Sequence, residues 1–388
     1  MFLVVLLLLL GSALGRDLCL GNCVVVNSRK TCEFTTIVDT FGSSTGYFQF
    51  IECGDITNPT LGLERGVTYI FNQNNISNWY HPIGFAYFPD GAHEGNAELE
   101  PDYSPSPDND CHVYKTCQSP MYYLNQEYLG QTYDNSGLKI IGGLNFGLEE
   151  YEAAFTEHRG DWVSMGNFSA HLTLTDNSYN GDIFYFCHIH NSMSGRIKVV
   201  NSNGLPESAV DTPPLGYEYE APSEIDRECG TVGISKYTRD SKLCIHDEAF
   251  VCLDENPYSP GALRFRSCLN ALDCKMHVEM RVYLNSSNPA VTFMHQMIPH
   301  HENAINMAKL LLKTGPDSGI SCPQEQLDCD IVDMLHEIIN SQNHQITLMR
   351  MWLNEYGYPQ HNHCKSMPTP KRKHDHRNWF SWLPRLFR

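Results

Sequence analysis

Between the strand-like stretches Asp182–Phe186 and Arg196–Val200 the chain reads Cys187-His188-Ile189-His190-Asn191-Ser192-Met193-Ser194-Gly195. A thiol, an imidazole and a thioether thus fall within seven residues on one tight loop. This string constrains the fold more than any other feature. It asks for a β framework that holds soft donors together and returns a second imidazole from an earlier strand. His81, in Asn78-Trp79-Tyr80-His81-Pro82, stands where such a strand would end. One thiolate, two imidazoles and a weak axial thioether make a donor set that suits copper. The rival reading pairs Cys187 in a disulfide and leaves the histidines on a solvated loop.

The spacing C-x2-H-x2-M followed by x-G-R-I-K-V resembles the cupredoxin family. It is closest to amicyanin, since plastocyanin has a longer gap to its Met. Asn58-Pro59-Thr60-Leu61 and Gly66-Val67-Thr68-Tyr69, leading to His81-Pro82, resemble the opening strands of such domains. The resemblance implies a β-barrel or sandwich over residues 48–203. It also implies a mononuclear type 1-like copper site, with His81, Cys187 and His190 as equatorial ligands and Met193 as axial ligand. The gap between His81 and Cys187 is longer than in small cupredoxins. An insertion over 89–160, rich in Pro, Asp, Asn and Tyr and pinned by a Cys111/Cys117 disulfide, is expected to fill it. His188 should project away from Cys187, because neighbouring strand residues face opposite sides.

Fifteen cysteines is an odd number. In an oxidising compartment most should pair, and Cys187 as a metal ligand would leave fourteen, enough for seven disulfides. Residues 1–15, MFLVVLLLLLGSALG, read as a secretory signal peptide: an apolar run too short to span a bilayer, ending on small residues. The sequons at Asn75, Asn167 and Asn285 agree with a secreted, extracellular glycoprotein. The net charge of −18 is uneven. From Lys365 onward seven Lys/Arg face one Asp, a tail of +6 on a body of −24. An acidic body excludes nucleic acid as a partner and favours cations.

Residues 16–47 read as a Cys-containing lead-in. Strand patterns run from Phe48, and resume at 161–174 and 182–200. Residues 204–228 have linker composition and 229–284 are Cys-rich. The period then becomes helical over 290–313 and 328–354, with apolar residues at i, i+3, i+4 and i+7. The fold class expected is therefore multidomain: a β-barrel or sandwich plus an all-α helical bundle over 285–360, joined by disulfide-rich segments.

The first of these helices carries Met297, His300, His301 and Met307 within one arc, with His295 on the opposite side. Met334, Ile338, Gln342, Gln345, Met349 and Trp352 share a face of the second. Pairing through those faces would gather thioethers and imidazoles suited to copper; the plainer alternative is that the methionines are core filler. The motif M-I-P-H-H-x-x-A-I-x-M-A, then I-I-x-x-Q-x-x-x-I-x-x-M-x-x-W-L, resembles a family of small His/Met-rich bacterial proteins carrying a domain-of-unknown-function label. That resemblance implies a ferritin-like fold, a link to copper tolerance, and Met297, His300, His301 and Met307 as ligands of a second copper site. Where that family has Glu in its second motif this chain has Gln345, which removes an anionic ligand.

The tail, 361–388, holds His361-Asn362-His363-Cys364 and a basic run followed by aromatics, fitted to an anionic membrane surface or acidic glycans. No P-loop, Ser-His-Asp arrangement, zinc-protease helix or G-x-G-x-x-G stands out. The expected function is secreted copper binding, in copper acquisition, buffering or delivery or in single-electron transfer to a redox partner. The rivals are a copper oxidoreductase and a matrix glycoprotein using the fold as a scaffold.

Overall fold

A computed structural model describes residues 18–364, except 95–97, 100–119, 134–138, 142–146, 176–180, 209, 216–218, 239–240, 242, 245–249, 255 and 316–329. The leader at 1–15, the Cys111/Cys117 pair and the tail beyond Cys364 lie outside the described residues.

Two sheets form the N-terminal region. The larger joins β1 (Asn22–Val26), β2 (Arg29–Asp39), β3 (Tyr47–Phe50), β5 (Thr68–Asn72), β7 (Met121–Leu124), β8 (Glu127–Tyr128) and β11 (Phe168–Thr173). The smaller runs β4 (Leu61–Glu64), β13 (Gly195–Val200), β12 (Ile183–Cys187), β6 (Ile83–Ala86). A two-stranded ribbon pairs β9 (Gln131–Tyr133) with β10 (Lys139–Ile141). Both main sheets are mixed: β2 lies parallel to β5 and β4 parallel to β13, the other pairings being antiparallel.

Alternation builds the core between them. Cys32, Phe34, Thr36 and Val38 of β2, Tyr69 and Phe71 of β5, and Phe168, Ala170 and Leu172 of β11 are the buried half of their strands. Across the gap Phe71 meets Phe85 at 4.8 Å and Phe50 meets Tyr185 at 5.2 Å. These are open sheets packed face to face, so the β part is a sandwich arrangement and not a closed barrel. Residues 29–39, read as part of a lead-in, supply a strand bonded on both sides. Cys32 sits within this strand and is also tied to Cys23 of β1, so the disulfide lies inside the sheet.

The stretch 89–160 also contributes to this core. It supplies β7 beside β11, and α2 (Leu148–Phe155), which buries Leu148, Tyr151 and Phe155. The short α1 (Gly91–Glu94) follows β6. Residues 161–165, expected as the start of a strand, belong to α3 (Arg159–Met165), with the His158 ring accepting from the Gly160 N–H. Buried Trp162 looked like a strand residue because a two-turn helix is too short to show its period.

The C-terminal region is helical: α4 (Glu224–Cys229), α5 (Pro260–Glu279), α6 (Pro289–Thr314) and α7 (Asp330–Glu355). Ser259 and Asn288 cap α5 and α6 ahead of Pro260 and Pro289 at their first positions. The α6–α7 seam is aliphatic, with Val291, Ile298 and Ile305 against Leu335, Ile339, Ile346 and Leu353. The expected His/Met faces enter the seam only in part: Ile338, Met349 and Trp352 pack against it, while Met307 and Met334 are 40% and 49% exposed. The adjacent row of Val, Ile and Leu is apolar throughout, so it takes the buried position.

Among the described residues four disulfides, Cys19–Cys53, Cys23–Cys32, Cys229–Cys268 and Cys244–Cys274, mark an oxidising environment. Cys187, Cys252 and Cys364 are unpaired, so the expected seven disulfides do not form. Among the described residues no helix is long and apolar enough to cross a membrane.

Candidate metal centre

His81 follows a one-turn helix at Ile76–Asn78, where its backbone N–H reaches Asn78 O at 2.7 Å. Gln73, fully buried, locks this corner. Its amide nitrogen donates to His81 O (2.7 Å) and Asn78 Oδ1 (3.1 Å), while its oxygen accepts from Ile83 N and the Tyr151 hydroxyl. Cys187 ends β12, and the loop after it carries His190 and Met193. Both are fully buried.

Three ligand atoms converge. His81 Nδ1 and His190 Nδ1 are 3.2 Å apart, and each is 3.8 Å from Cys187 Sγ. A triangle with those sides has its centre about 2.1 Å from every corner, inside the roughly 2.0–2.3 Å spanned by metal–nitrogen and metal–sulfur bonds. Among the described residues this is the one group of His, Cys and acidic side chains drawn so close together. The buried trio therefore fits a metal ion in trigonal coordination.

The electrostatics agree. Burial pushes the Cys187 thiol up to about 12, against backbone N–H groups of His190 and Ile189 that favour the thiolate. Burial also draws His190 down to about 3 and His81 well below its ordinary value, the latter aided by neighbouring His190. Both imidazoles are thus neutral and ligand-ready, and a metal must displace the thiol proton. The tautomer of His190 is fixed, because its Nε2–H donates to Asn340 O at 2.9 Å and leaves Nδ1 with a lone pair.

Two residues within the stretch read as an insertion support the loop. Asp90, 4% exposed, accepts from Ser192 N, Met193 N and Ser194 Oγ at 3.0–3.2 Å. His93 Nε2 donates to Cys187 O at 3.0 Å. Neither had a legible signal, since an acid after Pro89 and a lone His are ordinary in a loop. His188 faces the other side of the strand end, where its Nδ1 meets Glu152 at 3.0 Å.

The helical region closes the same end of the sandwich. Asn340 Nδ2 donates to Trp79 O, and Asn343 Nδ2 donates to Ser44 O at 2.9 Å. Lys309 Nζ, fully buried, donates to the carbonyls of Thr40, Ser43 and Ser44. Arg159 and Asp333 pair across the same interface.

The second set of candidate ligands is not gathered in this way. His301 Nδ1 lies 2.9 Å from Met297 O, and its Nε2 lies 2.7 Å from Gln345 Oε1. His300 and Met307 are exposed, and Asn303 Nδ2 approaches Met307 Sδ at 3.5 Å.

Residues 290–379 match the family model DUF305, a domain of unknown function. That match takes in α6 and α7, and leaves out α4, α5 and the two-sheet region. No curated protein and no solved structure gives a match.

Proposed function

We propose that this is a secreted copper-binding protein with a cupredoxin-like domain, in which His81, Cys187, His190 and Met193 hold one type 1-like copper ion. The observation that carries the reading is the buried triangle of two imidazole nitrogens and one sulfur around a point about 2.1 Å from each. One sulfur and two nitrogens are softer than a zinc-binding carboxylate set, and Met193 on the same loop supplies the weak axial thioether. Copper held by such donors supplies one-electron chemistry.

Between single-electron transfer and copper handling, the docking of α7 favours handling. The ring edge of His190, which a soluble redox partner would approach, is covered by Asn340. Copper acquisition, buffering or delivery fits a site closed by the chain's own helical region. The His/Met set of half-buried Met297 and His301 with exposed His300 and Met307 is then a second place for copper.

The test is metal content and visible spectrum of the purified protein. One equivalent of copper with an intense thiolate-to-copper band is expected, and Cys187→Ser should abolish the band. A colourless copper-loaded protein, or a band that survives the substitution, would overturn the assignment.

A further inference from the structure

We propose that His295, His361 and His363 form a separate site for a borderline divalent cation, Cu2+ or Zn2+, between α6 and the segment that follows α7. His295 is 4% exposed. Its Nε2–H donates to Pro359 O at 2.7 Å, so Nδ1 carries a lone pair, and that atom is buried with no hydrogen-bond partner. A backbone carbonyl on one ring nitrogen with a bare second nitrogen is the arrangement of a metal-ligating histidine. A buried ring nitrogen left bare calls for a partner, and a bound cation supplies one.

The other two imidazoles come from an extended segment pinned against the residues after α5. Tyr283 N donates to Asn362 O (3.1 Å) and Cys364 N donates to Arg281 O (2.8 Å). Residues two apart on such a segment share a side. The His361 and His363 rings accordingly lie 5.7 Å apart and nearly parallel. His363 Nδ1–H donates to Glu279 O at 3.1 Å, which leaves its Nε2 lone pair available. All three histidines line one cleft of about 90 Å³.

The cleft also contains Glu279 and Glu302, but both are committed. Lys275 lies 2.7 Å from Glu279 and 2.8 Å from Glu302, and Arg350 lies 2.9 Å from Glu302. The carboxylates are neutralised, so the imidazoles are the available donors, and imidazole selects zinc and copper over magnesium or calcium. The three nitrogens are not drawn as tightly as those of the first site. His361 and His363 are exposed, whereas His295 is buried and is the fixed point.

The experiment uses the full chain carrying Cys187→Ser, so that the result does not depend on the first site. Zn2+ is titrated calorimetrically against a competing chelator, and Cu2+ is followed by pulsed electron paramagnetic resonance to count imidazole nitrogens. One saturable Zn2+ site is expected that weakens at least 100-fold in His361→Gln/His363→Gln and persists when Met297, His300, His301 and Met307 are replaced together. Coupling to three imidazoles is expected for Cu2+. Because His361 and His363 are exposed, the double substitution should leave the circular dichroism unchanged; if it does not, the single His363→Gln is read instead, with at least a tenfold loss. Zn2+ binding indifferent to these substitutions, or no saturable site at all, would overturn the proposal.

Discussion

Asn340, in the middle of α7, accepts the Nε2–H of His190 on its backbone oxygen at 2.9 Å and donates its side-chain amide to Trp79 O, two residues before His81. One helical residue thus touches the surroundings of both candidate imidazole ligands. On the neighbouring α6, buried Lys309 Nζ donates to three carbonyls of residues 40–44 and ties the helical region to the same end of the sandwich.

Lys309→Met should therefore act on the metal centre without touching it. The carbonyls of Thr40 and Ser43 lose this donor while Ser44 keeps Asn343, and stability should fall by about 1–3 kcal/mol, the usual cost of leaving buried acceptors without a partner. Hydrogen exchange should quicken in α7 around Asn340 before it quickens in β12. Equal protection of α7 in variant and parent would show that Lys309 does not hold the helix on the site.

Gln73 is the corresponding anchor for His81. Its amide serves four partners in a fully buried corner, so Gln73→Ala strands several polar groups and should cost about 2–4 kcal/mol. Copper affinity should drop roughly 10- to 100-fold, as for other losses behind a ligand. Urea unfolding and a chelator competition read the two effects. Unchanged affinity in a destabilised variant would remove Gln73 from the site.

Much of this centre was legible because local sequence carries it. The Cys187–Met193 loop sits between two strands, and an extended loop of that length can bring its donors to one place. His81 was harder, since its partners lie 106 and 109 residues away, and only the strand ending at Pro82 marked it. Asp90, His93, Gln73 and Asn340 were not legible. Each acts through a contact distant in sequence, and none belongs to a residue type or spacing that announces such a role. The α6–α7 seam shows the reverse failure. Periodicity found both helices but could not choose between two adjacent arcs, one aliphatic and one rich in His and Met.

Gly195 closes the ligand loop, and its reason is steric. A Cβ there would stand 2.0 Å from the Tyr185 ring and 2.5 Å from Asn58 Oδ1, and Tyr185 is itself tied to Pro59 O at 2.7 Å. Neither neighbour can retreat in a filled core. Gly195→Ala should cost about 1–3 kcal/mol by overpacking and shift the visible band through displacement of Met193. A variant with parental unfolding midpoint and spectrum would mean that the core yields there.

The copper-free protein should weaken in acid from the histidines inwards. In the unfolded chain an imidazole binds a proton near its ordinary value of about 6.5, whereas burial holds His190 down to about 3 and His81 well below its usual range. Between those limits the unfolded state binds more protons than the folded one, so stability falls as pH falls, by up to about 1.4 kcal/mol per pH unit for each such imidazole. Above about 6.5 both states are neutral and the dependence vanishes. His171 and His336, each drawn down to about 4 by burial, act in the same direction. The window from 6.5 to 5.5 is diagnostic because carboxylates, with ordinary values near 4, contribute little there. Urea midpoints of the copper-free protein should be level from pH 7.5 to 6.5 and drop below it. In His190→Gln the drop should be shallower by one imidazole's share. An identical slope in parent and variant would mean that His190 is not buried in its neutral form, and the ligand-ready state of the site would be lost with it.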